Sequence, residues 1–171
     1  MEKIKSNQVI AEYAEKCLDK DKLKTFLEFC DFLSKNKLGI RKTGRKINGS
    51  WAIIYKNKMI GGFYISNNSW GIRYFNLFPR NDWFNKCEKY LSVELKDFIL
   101  NNINTTAGCC INKTCHSRDN IIVLGKLFSE RVCACVPIYI DNPNKKALEH
   151  TKELAMIGKN IIAEIAANST V

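Results

Sequence analysis

Five of the chain's eight cysteines, Cys109, Cys110, Cys115, Cys133 and Cys135, fall within one 27-residue window. Seventeen residues separate Cys115 from Cys133, so the thiols form two knots on either side of a short segment. Zinc takes about four soft ligands in a tetrahedron, commonly as two pairs from separate turns. The first knot offers Cys109 or Cys110 with Cys115, and the second offers Cys133 with Cys135. Adjacent cysteines rarely share one ion, which leaves one of Cys109 and Cys110 spare, and His116 is a substitute ligand. These spacings are not the usual C-x2-C pairs. An iron–sulfur cluster uses the same four thiolates and is the alternative cofactor. Vicinal Cys109-Cys110 or Cys133-Ala134-Cys135 as a redox pair, and unrelated free thiols, also fit the pattern. Cys17 and Cys30 sit on apolar helical stripes and are expected to be small buried side chains.

A second candidate surface is electrostatic. The net charge is +10, and residues 32–81 contain ten Lys or Arg and no Asp or Glu. The remaining 17 basic residues face 17 acidic ones, so the whole surplus belongs to this stretch. Trp51, Tyr55 and Trp70 lie in it, beside Arg41, Lys42, Arg45, Lys46 and Arg73. Aromatic rings interleaved with cations can stack on flat groups and hold anions. The expected partner is an anionic ligand such as a small molecule, with nucleic acid as the alternative. Burial of the same aromatics in the core is their commoner fate.

Catalytic constellations do not stand out. His116 and His150 are the only histidines, and His150 is expected on a solvated helix face. Gly125-Lys126 lacks the rest of a P-loop. A non-catalytic binding protein is the expectation. No apolar run approaches the ~18 residues of a membrane span, and no leader-like apolar stretch follows the N-terminus. These features imply a cytoplasmic setting without membrane contact, where thiols stay reduced unless they bind metal.

The elements that must position these groups follow from hydrophobic periodicity. Residues 6–20 and 21–37 read as amphipathic helices, with Ser6 as a cap of the first and Gly39 ending the second. Residues 41–49 read as a basic loop. Strands are expected at 50–56, 59–66 and 69–77, joined by Asn57-Lys58 and Asn67-Asn68 as an antiparallel meander. Gly61-Gly62 marks a bulge or a close approach. Residues 82–103 read as helix with a break near Ser92, and 136–140 as an edge strand. Asn142-Pro143 should start a long C-terminal helix. The expected whole is one α+β domain over residues 1–171, with a cysteine-rich insertion at 108–136.

Two helices, a basic loop, and strands holding Trp51-Ala-Ile-Ile-Tyr-Lys and Trp70-Gly-Ile-Arg resemble the small α+β domains of the YdhG-like type. The resemblance spans residues 20–105. It implies a meander sheet backed by helices and a ligand groove, and no catalytic residues. The cysteine window lies outside it.

Overall fold

A computed structural model describes residues 2–43, 49–74, 87–105, 120–130, 132 and 138–168, without the side chains of residues 2–7 and 74. The fold is α+β. Two helices, α1 (Glu2–Cys17) and α2 (Lys20–Lys35), precede four strands: β1 (Gly39–Lys42), β2 (Ser50–Tyr55), β3 (Lys58–Ser66) and β4 (Ser69–Tyr74). A 3-10 turn at Glu88–Tyr90 leads to α3 (Val93–Asn101). The strands β5 (Ile121–Val123), β6 (Lys126–Phe128) and β7 (Ile138–Asp141) then precede the long helix α4 (Lys145–Asn168). The main sheet has the order β1-β2-β3-β4-β7, and β5-β6 form a separate pair. Contacts divide the chain into two compact units, Met1–Ile72 with Ile140–Val171, and Arg73–Tyr139.

In the first unit, α2 begins where Asp19 accepts the Lys22 backbone N–H at 3.0 Å through its carboxylate. Phe26, Phe29 and Leu33, at helical spacing on one face of α2, are buried. The Phe26 ring meets Phe63 at 5.5 Å and Trp70 at 5.3 Å, both edge-on. Trp51 stacks on Phe63 at 5.6 Å and receives the edge of Tyr13 from α1. Alternation along β2, β3 and β4 therefore aims Trp51, Phe63 and Trp70 at one apolar face, as a period of two requires. The β2–β3 register shifts between Ile53 and Ile54, opposite Gly61, which is the irregularity that the glycine pair implies. Asn68 ties the β3–β4 turn to the α1–α2 corner: its Oδ1 accepts the Asp19 N–H, and its own N–H reaches Cys17 O.

The backbone bond from Lys22, then its ammonium, hold the Asp19 carboxyl down to about 2 from 3.8. A folded-state value below the unfolded one gives stability that is present above pH 4 and lost as pH falls toward 2. The expected result is a wild-type Tm that drops through that window. In Asp19→Asn, which keeps a cap without a charge, the drop should be smaller; equal slopes in the two proteins would refute this role.

Five expectations at element ends change, the first being the β2–β3 turn, which is Lys56-Asn57 rather than Asn57-Lys58 because β2 ends at Tyr55. The first helix runs through Ser6, which therefore does not cap it. The second ends before Gly39, because Lys37 takes the left-handed conformation (φ 59°) usual for glycine. Lys37 N–H bonds Ser34 O and Leu38 N–H bonds Leu33 O, the two bonds of a Schellman end. The chain is thereby free to enter β1 at Gly39, so the first part of the expected basic loop is an edge strand. The last helix starts later than Asn142-Pro143: Asn144 is its cap, accepting the Ala147 N–H at 2.9 Å. Asn142 (φ 41°) instead bonds the Trp70 backbone through both its own N–H and its side chain.

In the second unit the helical stretch does break at Ser92, whose hydroxyl caps α3 by accepting the Leu95 N–H. Cys87, Leu95, Ile99 and Ile138 are buried, and Ile103 bridges Ile138. The β5–β6 pair turns through Leu124 (φ 49°) and Gly125 (φ 81°), with Ile121 opposite Phe128.

Candidate anion-binding surface

The sequence-derived surface residues separate into three groups. Trp51 and Trp70 are 4% and 0% exposed, packed on Phe63 and on Phe26 and Phe29. They belong to the core, which corrects their assignment to a ligand surface. Their rings face the helices because α1 and α2 bring Tyr13, Phe26 and Phe29 to cover that side of the sheet. Trp70 Nε1 is buried without a hydrogen-bond partner, which marks the ring as apolar packing.

Arg41 and Lys42 are exposed on β1, the edge strand of the sheet. Lys37, Lys56 and Lys58 are exposed as well. Among the described residues no carboxylate pairs with any of these five cations. Lys35 is different: Asp31 neutralises it at 2.7 Å on the same helix. Arg73, in the second unit, lays its guanidinium 5.3 Å from the ring centre of Tyr139. Arg45 and Lys46 lie outside the described residues.

Tyr55 is half-buried at the end of β2, opposite Lys58 in the register. Two ammonium groups approach its ring, Lys56 at 5.8 Å and Lys159 of α4 at 5.5 Å from the centroid. Lys159 also donates to Asn36 O, the C-cap of α2, at 3.0 Å. Sequence reasoning missed Lys159, because it lies 104 positions from Tyr55 and outside the acid-free stretch. Only the packing of α4 beside α2 and the sheet brings it there. Two turns earlier on α4, Lys152 is spoken for by Glu28 at 2.6 Å and Glu149 at 2.7 Å. His150, expected in solvent, has a side chain only 12% exposed, 3.9 Å from Glu153.

The five window cysteines, Cys109, Cys110, Cys115, Cys133 and Cys135, and His116 lie outside the described residues. Burial pushes the Cys30 and Cys87 thiols up to about 12, with Glu88 adding to the effect at Cys87. Cys17 is half-buried. Among the described residues no cluster of three or more His, Cys, Asp or Glu could hold a metal ion.

On the far side of the sheet, Asp141 Oδ1 accepts from both Tyr64 OH and Ser69 Oγ. Gly71 makes room for this: a Cβ there would lie 2.5 Å from the Tyr64 ring and 2.8 Å from Ile140 O. The cluster fastens β7 to the sheet. Among the described residues no helix is long and apolar enough to cross a membrane. No protein-family model, curated protein or solved structure matches the chain.

Proposed function

We propose that this chain is a non-catalytic binding protein of the cytoplasm that takes an anionic ligand or partner on its basic surface, with a zinc ion pinning the cysteine-rich segment. One observation carries the first half. Arg41, Lys42, Lys37, Lys56 and Lys58 are exposed, and among the described residues no carboxylate forms an ion pair with them. Cations left without counter-charges raise the local concentration of anions and steer them inward. Burial of Trp51 and Trp70 takes away two of the rings that could stack on single-stranded nucleic acid, which supports the anionic ligand or partner as the preferred reading.

The zinc half is supported by chain geometry around the window. Ile121 and Phe128 face each other across the β5–β6 pair, so the described residues 121–128 between the two knots fold back on themselves. Cys115 lies six residues before Ile121 and Cys133 five after Phe128, within the ~3.3 Å per residue that extended chain can span to a common point. An iron–sulfur cluster would use the same thiolates.

The surface is tested on a heparin column. Wild-type protein should be retained and elute at raised salt, and Arg41→Glu/Lys42→Glu should elute at clearly lower salt with an unchanged circular dichroism spectrum. Identical elution of the two proteins would remove β1 from the binding surface, and no retention of either would refute the anionic reading.

A further inference from the structure

From the Tyr55 corner we infer that the first unit holds a site for a compact phosphoryl oxyanion, such as a phosphate ester or polyphosphate of a small molecule. The inference rests on the anionic-ligand reading and gives it a place and a chemical class. Lys56 and Lys159 approach the Tyr55 ring, Lys58 stands opposite Tyr55 in the register, and Lys37 follows Asn36, whose carbonyl takes Lys159. The bland account is that they serve the C-terminus of α2, where Lys159 donates to Asn36 O. That helix end carries only about half an elementary negative charge. Four cations overshoot it several-fold, and no described carboxylate supplies the difference.

The backbone points the same way. Lys37 (φ 59°) and Lys56 (φ 45°) both occupy left-handed conformations, where glycine or asparagine fits better. Lys56 is the first residue of a two-residue hairpin turn and Lys37 follows a helix cap, so either position would take Gly at no cost in packing. Lysine at two such positions, one bordering the Tyr55 ring and one following Asn36, is a local disadvantage to folding, of the kind that collects at binding sites. Lys159 is pre-positioned: Asn36 O takes one of its three donors and the Tyr55 face steadies the ammonium. Lysines act as point charges without a fixed fork, so the corner favours dense charge over planar shape. A phosphoryl group, with up to two charges on three oxygens, fits that better than a single carboxylate.

The test is titration of the full chain with tripolyphosphate, followed by calorimetry and by amide shifts in nitrogen–proton spectra. The shifts should centre on Asn36, Lys37, Lys56 and Asn57. Lys37→Gly and Lys56→Gly remove charge while relieving the backbone, so each should raise Tm and weaken binding about threefold to fivefold. Adding Lys159→Met, which keeps the apolar stem, should bring the combined loss to roughly 30-fold or more. Undiminished binding by the triple variant, or shifts that map to Arg41 and Lys42, would overturn the Tyr55 site and leave the broader anionic reading standing. A single-stranded oligonucleotide of matched charge that displaces tripolyphosphate and binds more tightly would also overturn it, in favour of nucleic acid. Loss of both tripolyphosphate binding and heparin retention in the wild type would end both readings.

Discussion

One zinc per chain, absent from Cys115→Ser and Cys133→Ser, and selective loosening of the Arg73–Tyr139 unit on chelation are the expected results of metal removal. The β5–β6 pair consists of two three-residue strands. Its cross-strand pair Ile122 and Leu127 is 71% and 60% exposed, so this face contributes little burial. An isolated two-stranded hairpin is marginal in water, and something besides its own pairing must hold it. Structural zinc in small thiolate sites contributes roughly 10–16 kcal/mol to folding, which equals the whole stability of an ordinary domain. The five-stranded unit needs no such help, since Phe26, Phe29, Phe63, Trp70 and Leu33 are buried at its centre. Limited proteolysis read by mass spectrometry separates the two outcomes. With a strong chelator, cuts should concentrate between residues 73 and 139, while residues 1–72 and 140–171 stay resistant. Iron with visible absorbance in place of zinc would identify a cluster. A metal-free protein with the same cleavage pattern before and after chelation would refute the stapled segment.

The strands were legible in the sequence because alternation survives burial. Trp51 and Ile53, Phe63 and Ile65, and Trp70 and Ile72 keep a period of two, and short polar turns separate them. Ser92 was legible as a break because a serine before an apolar run satisfies free N–H groups at a helix start. The edge strand β1 was not. It has four residues, two of them cations, and the helix before it ends on a lysine rather than at Gly39. Composition also could not divide the aromatics. Trp51 and Tyr55 lie on the same strand, yet Tyr13 covers one and Lys159 borders the other. Which ring meets a helix and which meets a cation depends on partners 38 and 104 residues away, and no local pattern carries that information.

Gly49→Ala is expected to cost the protein about 3 kcal/mol, and a paired control says why. Gly49 is buried with φ 93°, and its carbonyl accepts the Ile65 N–H at 2.7 Å. A Cβ there would stand 2.1 Å from Ile65 O and 3.1 Å from the Tyr13 hydroxyl. The tyrosine can swing, but Ile65 O belongs to the backbone of β3, in the middle of the sheet. Two costs add: about 1 kcal/mol for an L side chain at positive φ, and about 1–3 kcal/mol for forcing an atom into packed backbone. Gly125 has nearly the same backbone, φ 81°, with nothing within 4 Å of its would-be Cβ. Gly125→Ala should therefore show only the first cost. Urea unfolding followed by fluorescence for Gly49→Ala, and by amide exchange around the β5–β6 turn for Gly125→Ala, isolates the steric share as the difference. Equal losses of about 1 kcal/mol in both would mean that β3 yields at Ile65, and that the contact closing the sheet onto α1 is softer than its geometry requires.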